Sequence, residues 1–234
     1  MNINEEYIKS IAHQRRIRQQ AAAFIHRGKE AGIPERFLRT KKQVFQDLLC
    51  DKYHEDVSAI ANIVFDNSNR LLTIPNILID GGNSTSRTQA GCTILFRMIA
   101  CDKNGIYNRC DRLSHKLEDL KSDGTMSRNA YVDDLQQYDS MFIGEINARS
   151  FNEYLSSGSF MDELLGYRSD NMLPTIFSFS KPLGKVNGID TGQKTIEAKI
   201  AGDMLASLAV REYASLDKKI NPTNNIFRIR VKNV

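Results

Sequence analysis

No stretch of this sequence approaches the roughly 18 consecutive apolar residues of a membrane-spanning helix, so no membrane partner is expected. The opening MNINEEYIKS lacks the apolar segment of a secretion signal, and a cytoplasmic location is expected. Cys50, Cys92, Cys101 and Cys110 show no C-x-x-C spacing, which argues for reduced thiols and against zinc or a disulfide framework. His13, His26, His54 and His115 are scattered without the H-E-x-x-H spacing of a metal helix, and no metal site is assigned. The serine-hydrolase turn G-x-S-x-G does not occur. Aromatic residues are not interleaved with basic ones as on single-strand-binding platforms. Internal repeats and low-complexity tracts are absent as well.

What is present suits a globular protein. The chain has 234 residues, 41% hydrophobic and 26% charged, enough to build a core without staples. Its net charge of +4 is unevenly placed. Residues 1–42 hold ten Lys/Arg and four Asp/Glu, hence +6; the other 22 basic and 24 acidic residues give −2. The basic excess therefore belongs to the N-terminal segment. That suits contact with nucleic acid, an acidic protein surface, or a basic helix that is simply solvated.

Residues 4–31 contain no proline and one glycine, Gly28, and are rich in good helix formers. Ile17, Ala21 and Phe24 fall at i, i+4 and i+7, a narrow apolar stripe, and AGIPE then breaks the helix. This predicts an N-terminal basic helix, residues 1–31, outside a main domain of residues 32–234. A second helix is expected over KKQVFQDLLCDKY, with Val44, Leu48 and Leu49 on one side, and a third around EDVSAIANIVFDN. After these, strand and helix patterns alternate. NILID (76–80), GIYNRC (105–110), SMFIGEI (140–146), TIFSFS (175–180) and NIFRIRVKN read as strands, the last at a sheet edge. Helices are expected over 88–100, over DRLSHKLEDLK with Asp111 as a cap, over NAYVDDLQQY, and over 151–167. Another is expected over TIEAKIAGDMLASLAVREYA, where Ile196, Ile200, Met204, Leu205 and Leu208 keep the helical period. The alternation predicts an α/β fold: a parallel sheet covered by helices on both faces, binding ligands beyond the carboxyl ends of its strands.

Two stretches lie at such ends, GGNSTSRT (81–88) and Gly144–Glu145. The first takes the place of the P-loop, G-x-x-x-x-G-K-[ST], keeping Gly81 and Thr88 but with Ser86 for the second glycine and Arg87 for the lysine. GIPERF (32–37) precedes it. YDSMFIGEIN (138–147) takes the place of a Walker B strand, and PTIFSFSKPL (174–183) that of the next strand, where a polar residue senses the γ-phosphate. As an ordered set these resemble the AAA+ ATPases of the DnaC/DnaI/IstB group, bacterial replicative helicase loaders and transposition helpers. NARSFNEYL, DELLGYRSDNMLPTIFSFS and the closing RIRVKN also fall where that group's pattern has them, so the resemblance covers roughly residues 30–234. It implies an AAA+-like P-loop NTPase fold. It also implies a nucleotide site made of Gly81, Gly82, Asn83, Ser84, Thr85, Ser86, Arg87 and Thr88, with Ser180 at the sensor position and Glu145 as a relic of the catalytic base.

The departures from that pattern matter more. Arg87 keeps the lysine's charge, but its guanidinium is larger and flat. Ser84 and Ser86 replace expected glycines. Gly144 stands at the place of the metal-binding aspartate, and Met204 and Leu208 at those of arginines that reach a neighbour's phosphate. Phosphoryl transfer depends on positioning and charge neutralisation. The expectation is a drifted site that requires no cofactor, holds ATP or ADP weakly if at all, and turns over near background. The implied role is in DNA replication: an accessory protein that binds a replicative helicase through Arg15, Arg16, Ile17, Arg18, Ala21 and Phe24, and assists its loading or blocks it. Single-stranded DNA is a further candidate partner, and a phage- or element-encoded relative would fit such a site. Two alternatives stay open. One is an active ATPase with another metal ligand, for which Asp80 and Asp139 are near in sequence. The other is a DNA-binding module without a helicase partner.

Overall fold

The computed structural model describes residues 3–54, 56–74, 76–123, 128–146, 160–180 and 226–233. Five strands form one parallel sheet: β1 (Asn76–Gly81), β2 (Gly105–Arg109), β3 (Ser140–Ile146), β4 (Thr175–Phe179) and β5 (Ile226–Val231). Their order is β2-β3-β4-β1-β5, which places β5 at an edge as its alternating pattern predicts. The helices are α1 (Ile3–Glu30), α2 (Lys42–Leu48), α3 (Val57–Phe65), α4 (Ser84–Ala100), α5 (Cys110–Asp123), α6 (Arg128–Gln136) and α7 (Phe160–Asp170).

β1 is buried at every residue, as a strand covered on both faces must be. Ile77 and Ile79 join one core with Phe45, Ile60, Ile94, Phe142 and Ile176, which gathers α2, α3 and α4 on one face. Leu78 points the other way, into a second core with Leu113, Leu135, Ile143, Leu164 and Phe177 from α5, α6, α7 and the sheet. This is a parallel α/β architecture with helices on both faces of the sheet and a glycine turn between β1 and α4.

Some elements differ from their sequence reading. α2 stops at Leu48 because Leu49 takes an extended backbone and bridges antiparallel to Val231. The Cys50 N–H donates to the Arg230 carbonyl at 2.9 Å, and His54 Nε2 accepts the Arg230 N–H at 2.9 Å. The open edge of β5 thus wins this segment from the helix, covering an edge that would otherwise be sticky. Phe45 joins Leu48 in the core, while Val44 is 41% exposed. Asp111 lies in the first turn of α5 and not at its cap, and it is paired with Arg109 at 3.0 and 3.1 Å. The helix expected over 151–167 is described from Phe160. The helix expected over 195–214, with Met204 and Leu208, falls outside the described residues, as do NARSFNEYL and 181–183.

α1 has 28 residues, close to the expected bounds. Its last turns dock on the domain. A Cβ at Gly28 would stand 2.4 Å from Leu38 and 3.0 Å from Phe96, and Arg27 pairs with Asp102 at 3.2 Å. Residues 12–23 are exposed, Ile17 by 50%. Among the described residues no helix is long and apolar enough to cross a membrane.

Candidate functional site

The turn after β1 is built by its two glycines. Gly81 and Gly82 have φ of +79° and +51°, a region costly for any residue with a Cβ. A Cβ on Gly81 would lie 2.6 Å from the Val231 carbonyl, and one on Gly82 2.8 Å from the Lys232 carbonyl. The end of β5 therefore demands both glycines without any phosphate being present. α4 then begins at Ser84, one turn earlier than the sequence reading placed it. Asn83 caps it: its Oδ1 accepts the Ser86 N–H at 2.8 Å and the Ser86 hydroxyl at 3.1 Å. Asn, Ser and Thr are preferred at such caps, and N-S-T-S offers four in a row. Residues that a P-loop spreads around a phosphate here form the first turn of a helix. Asn83, Ser84 and Thr85 are exposed; Ser86, Arg87 and Thr88 are buried.

Arg87 turns back under this loop. Its Nη1 donates to the carbonyls of Gly81 (2.9 Å) and Gly82 (2.8 Å). Its Nε and Nη2 donate to Glu145 Oε1 (2.9 Å) and Oε2 (2.8 Å), a two-pronged ion pair whose side chains are only 5% and 11% exposed. The two positions that the sequence singles out for phosphate charge and for base catalysis are thus bonded to each other.

A local irregularity aims Glu145. β3 and β4 pair in register from Met141 to Ile143 and resume at Ile146 opposite Phe179, so Gly144 and Glu145 together face Ser178. This is a bulge. Glu145 sits at φ +62°, a conformation costing about 1–3 kcal/mol for such a residue, and its N–H donates to the Ser178 hydroxyl at 2.9 Å. Ile143 and Ile146, three apart, consequently share one core, and the Glu145 carboxylate is left to meet Arg87. Ser178 was not singled out by sequence; nothing in a single polar residue of an apolar strand announces that it holds a bulge. Ser180, the sensor candidate, is half-buried one strand over and donates its N–H to the Ile146 carbonyl at 2.9 Å.

Tyr107 on β2 is a second residue that sequence reasoning missed. Its ring stacks on Phe142 at 4.8 Å and covers Gly144, where a Cβ would stand 3.0 Å from the ring and 3.4 Å from the phenol oxygen. The phenol is pushed up to about 12 by burial, although its hydrogen bond with the Thr88 side chain pulls the other way. An aspartate side chain at position 144 would need the space that this ring fills. The Tyr107 N–H also donates to the Ala31 carbonyl at 2.7 Å, tying the root of α1 to the same spot.

The other metal-ligand candidates are engaged elsewhere. Asp80, fully buried, is bound by Arg230 through contacts of 3.2 and 2.7 Å. Asp139 precedes β3 at its amino end, away from the turn, where it accepts the Asn104 N–H at 2.9 Å. Near it the buried Arg168 donates to Thr175 Oγ1 and to the carbonyls of Tyr138 and Pro174 at 2.8–2.9 Å, and burial brings its guanidinium down to about 10. Among the described residues no group of three His, Cys, Asp or Glu is placed to hold a metal.

A triphosphate at the turn would face two carbonyl oxygens and a carboxylate, with the Ser86 N–H already given to Asn83. The groups present do not fit the nucleotide that the sequence resemblance implies. They fit a cation, and Arg87 supplies it.

No protein-family model matches the chain, and no curated protein does. Among solved structures it is similar to the replication initiator DnaA bound to AMPPCP and single-stranded DNA, at 11% identity and a TM-score of 0.49, over 79% of this chain and 49% of that one. It is similar to DnaI at 13% identity and a TM-score of 0.48, over 85% of this chain and 91% of that one. It is similar to the DnaC helicase loader at 13% identity and a TM-score of 0.47, over 79% of this chain and 98% of that one. The chain spans about half the length of that DnaA chain. At these identities and TM-scores the likeness carries no residue's role across.

Proposed function

We propose that the chain is an accessory protein of DNA replication that grips a replicative helicase with α1, to assist its loading on DNA or to block it, and that it does so without ATP turnover. The reading rests on the ordered motifs of the sequence and, above all, on the exposed stretch of α1. From Tyr7 to Lys29 there is no carboxylate, while Lys9, Arg15, Arg16, Arg18, Arg27 and Lys29 are cationic. Arg27 and Lys29 find Asp102 and Glu35 at 3.2 and 3.1 Å. Arg15, Arg16 and Arg18 lie on the exposed part, about 18 Å of helix in residues 12–23. The stripe that docks at Gly28 continues through Ala21 to Ile17, about three turns on, where the domain no longer covers it. Apolar anchors at helical spacing, rimmed by cations, suit an apolar groove with an acidic border on a partner.

The proposed absence of ATP turnover is supported by the Glu145 carboxylate, which is bonded to Arg87 on both oxygens. The test is binding of the purified chain to a purified hexameric bacterial replicative helicase. Binding is expected, and Arg15→Glu/Arg16→Glu/Arg18→Glu slows association about tenfold or more at low salt, an effect that added salt masks. No helicase binding, together with tight salt-dependent binding to DNA alone, would replace this reading with the DNA-binding module.

A further inference from the structure

We infer that the turn between β1 and α4 is a guanidinium receptor occupied by the chain's own Arg87, an internal cation that takes over the tie which a bound nucleotide makes between β1, α4 and β3. Four observations converge. The carbonyls of Gly81 and Gly82 aim at one point, and the Arg87 guanidinium occupies it. The Glu145 carboxylate closes the other side with matched bidentate contacts of 2.9 and 2.8 Å. The bulge that delivers Glu145 is held by Ser178 at a positive φ of 62°, so the fold sustains local strain to keep the carboxylate there. The space beside Gly144 is filled by Tyr107, whose ring stacks on Phe142 at 4.8 Å.

The polarity of this place is opposite to that of a phosphate cradle. A P-loop turns backbone N–H groups inward, a nest of positive partial charge. This turn presents oxygen atoms: two carbonyls and two carboxylate oxygens, the set that a planar guanidinium satisfies and a single ammonium does not. The consequence is conformational. Here the tie is intramolecular and permanent, so the domain keeps one state whatever the nucleotide supply. The inference concerns this pocket alone and stands whether or not the partner of α1 is a helicase.

The test is chemical rescue in the full chain. Arg87→Ala removes the cation and leaves the four oxygens. Its melting temperature is expected to fall, and millimolar guanidinium or methylguanidinium is expected to recover at least half of the loss, because a ligand that binds only the folded form stabilises it by mass action. Sodium chloride at equal ionic strength is expected to recover nothing, and Arg87→Ala/Glu145→Gln is expected to show no rescue by either cation. Equal effects of sodium and guanidinium, or recovery by ATP or inorganic triphosphate instead, would overturn the inference. If Arg87→Ala does not fold, the unmodified chain decides: the Nε–H of Arg87 should exchange with solvent far more slowly than that of Arg15. Equal exchange at the two arginines would contradict it.

Discussion

Deleting the Arg87 side chain strands the Glu145 carboxylate, only 11% exposed, beside two carbonyls. Breaking a buried pair by removing one partner costs about 3–5 kcal/mol, so Arg87→Ala should lose that much in denaturant unfolding, and Arg87→Ala/Glu145→Ala distinctly less. A double-mutant cycle showing no coupling would contradict the pair. Tyr107 gives a pH signature. Burial first, against its bond with Thr88, raises its phenol to about 12. In the unfolded chain a phenol titrates near 10. A raised folded value means that the contribution is complete below about pH 10 and is lost as pH rises towards 12, because only the unfolded form sheds the proton in that window. Tyr107→Phe should flatten this alkaline loss in a series of unfolding measurements. The same ring predicts that Gly144→Asp destabilises by about 1–3 kcal/mol through overpacking. Adding Tyr107→Ser should relieve it. The positions Arg87 and Glu145 stand out in the sequence. Their mutual bond does not, because it depends on a bulge and a positive φ that no local pattern announces.

At the level of elements, α1 divides into a docked root and a free length, and substitutions should divide in the same way. Gly28→Val pushes a Cβ to within 2.4 Å of Leu38 and should lower the melting temperature. Ile17→Ser, at a residue 50% exposed, should leave the melting temperature unchanged while weakening binding to the proposed helicase partner by about 1 kcal/mol or more. A drop in melting temperature for Ile17→Ser, with binding spared, would return that helix face to the domain. Phe24 is a poorer probe than its position in the stripe suggests, since it is half-buried with Arg27 over its ring at 4.8 Å. The strands were legible because period-two and all-apolar runs survive tertiary context, and NILID and SMFIGEI fall on β1 and β3 almost residue for residue. The start of α4 was misread because the P-loop template assigns 81–87 to a loop, whereas Asn83 is a strong cap that starts the helix early. The end of α2 was misread because the competitor, the edge of β5, is about 180 residues away in sequence.

In the whole molecule, a sheet covered on both faces carries its turn at the carboxyl end of an interior strand, β1, where such folds place ligands. The turn is instead closed from within, by Arg87 and Glu145 in the plane of the strand ends and by Tyr107 beside them. If Arg87 closes the turn as inferred, sedimentation should be unchanged by Mg-ATP. Thermal unfolding of the purified chain with and without Mg-ATP tests the account most directly. A nucleotide present at a hundred times its dissociation constant would add about 2.7 kcal/mol of stability. For a domain of this size that is a shift of roughly 5–10 °C. The account predicts no shift at millimolar Mg-ATP; a saturable rise of that size, abolished by Glu145→Gln, would contradict it.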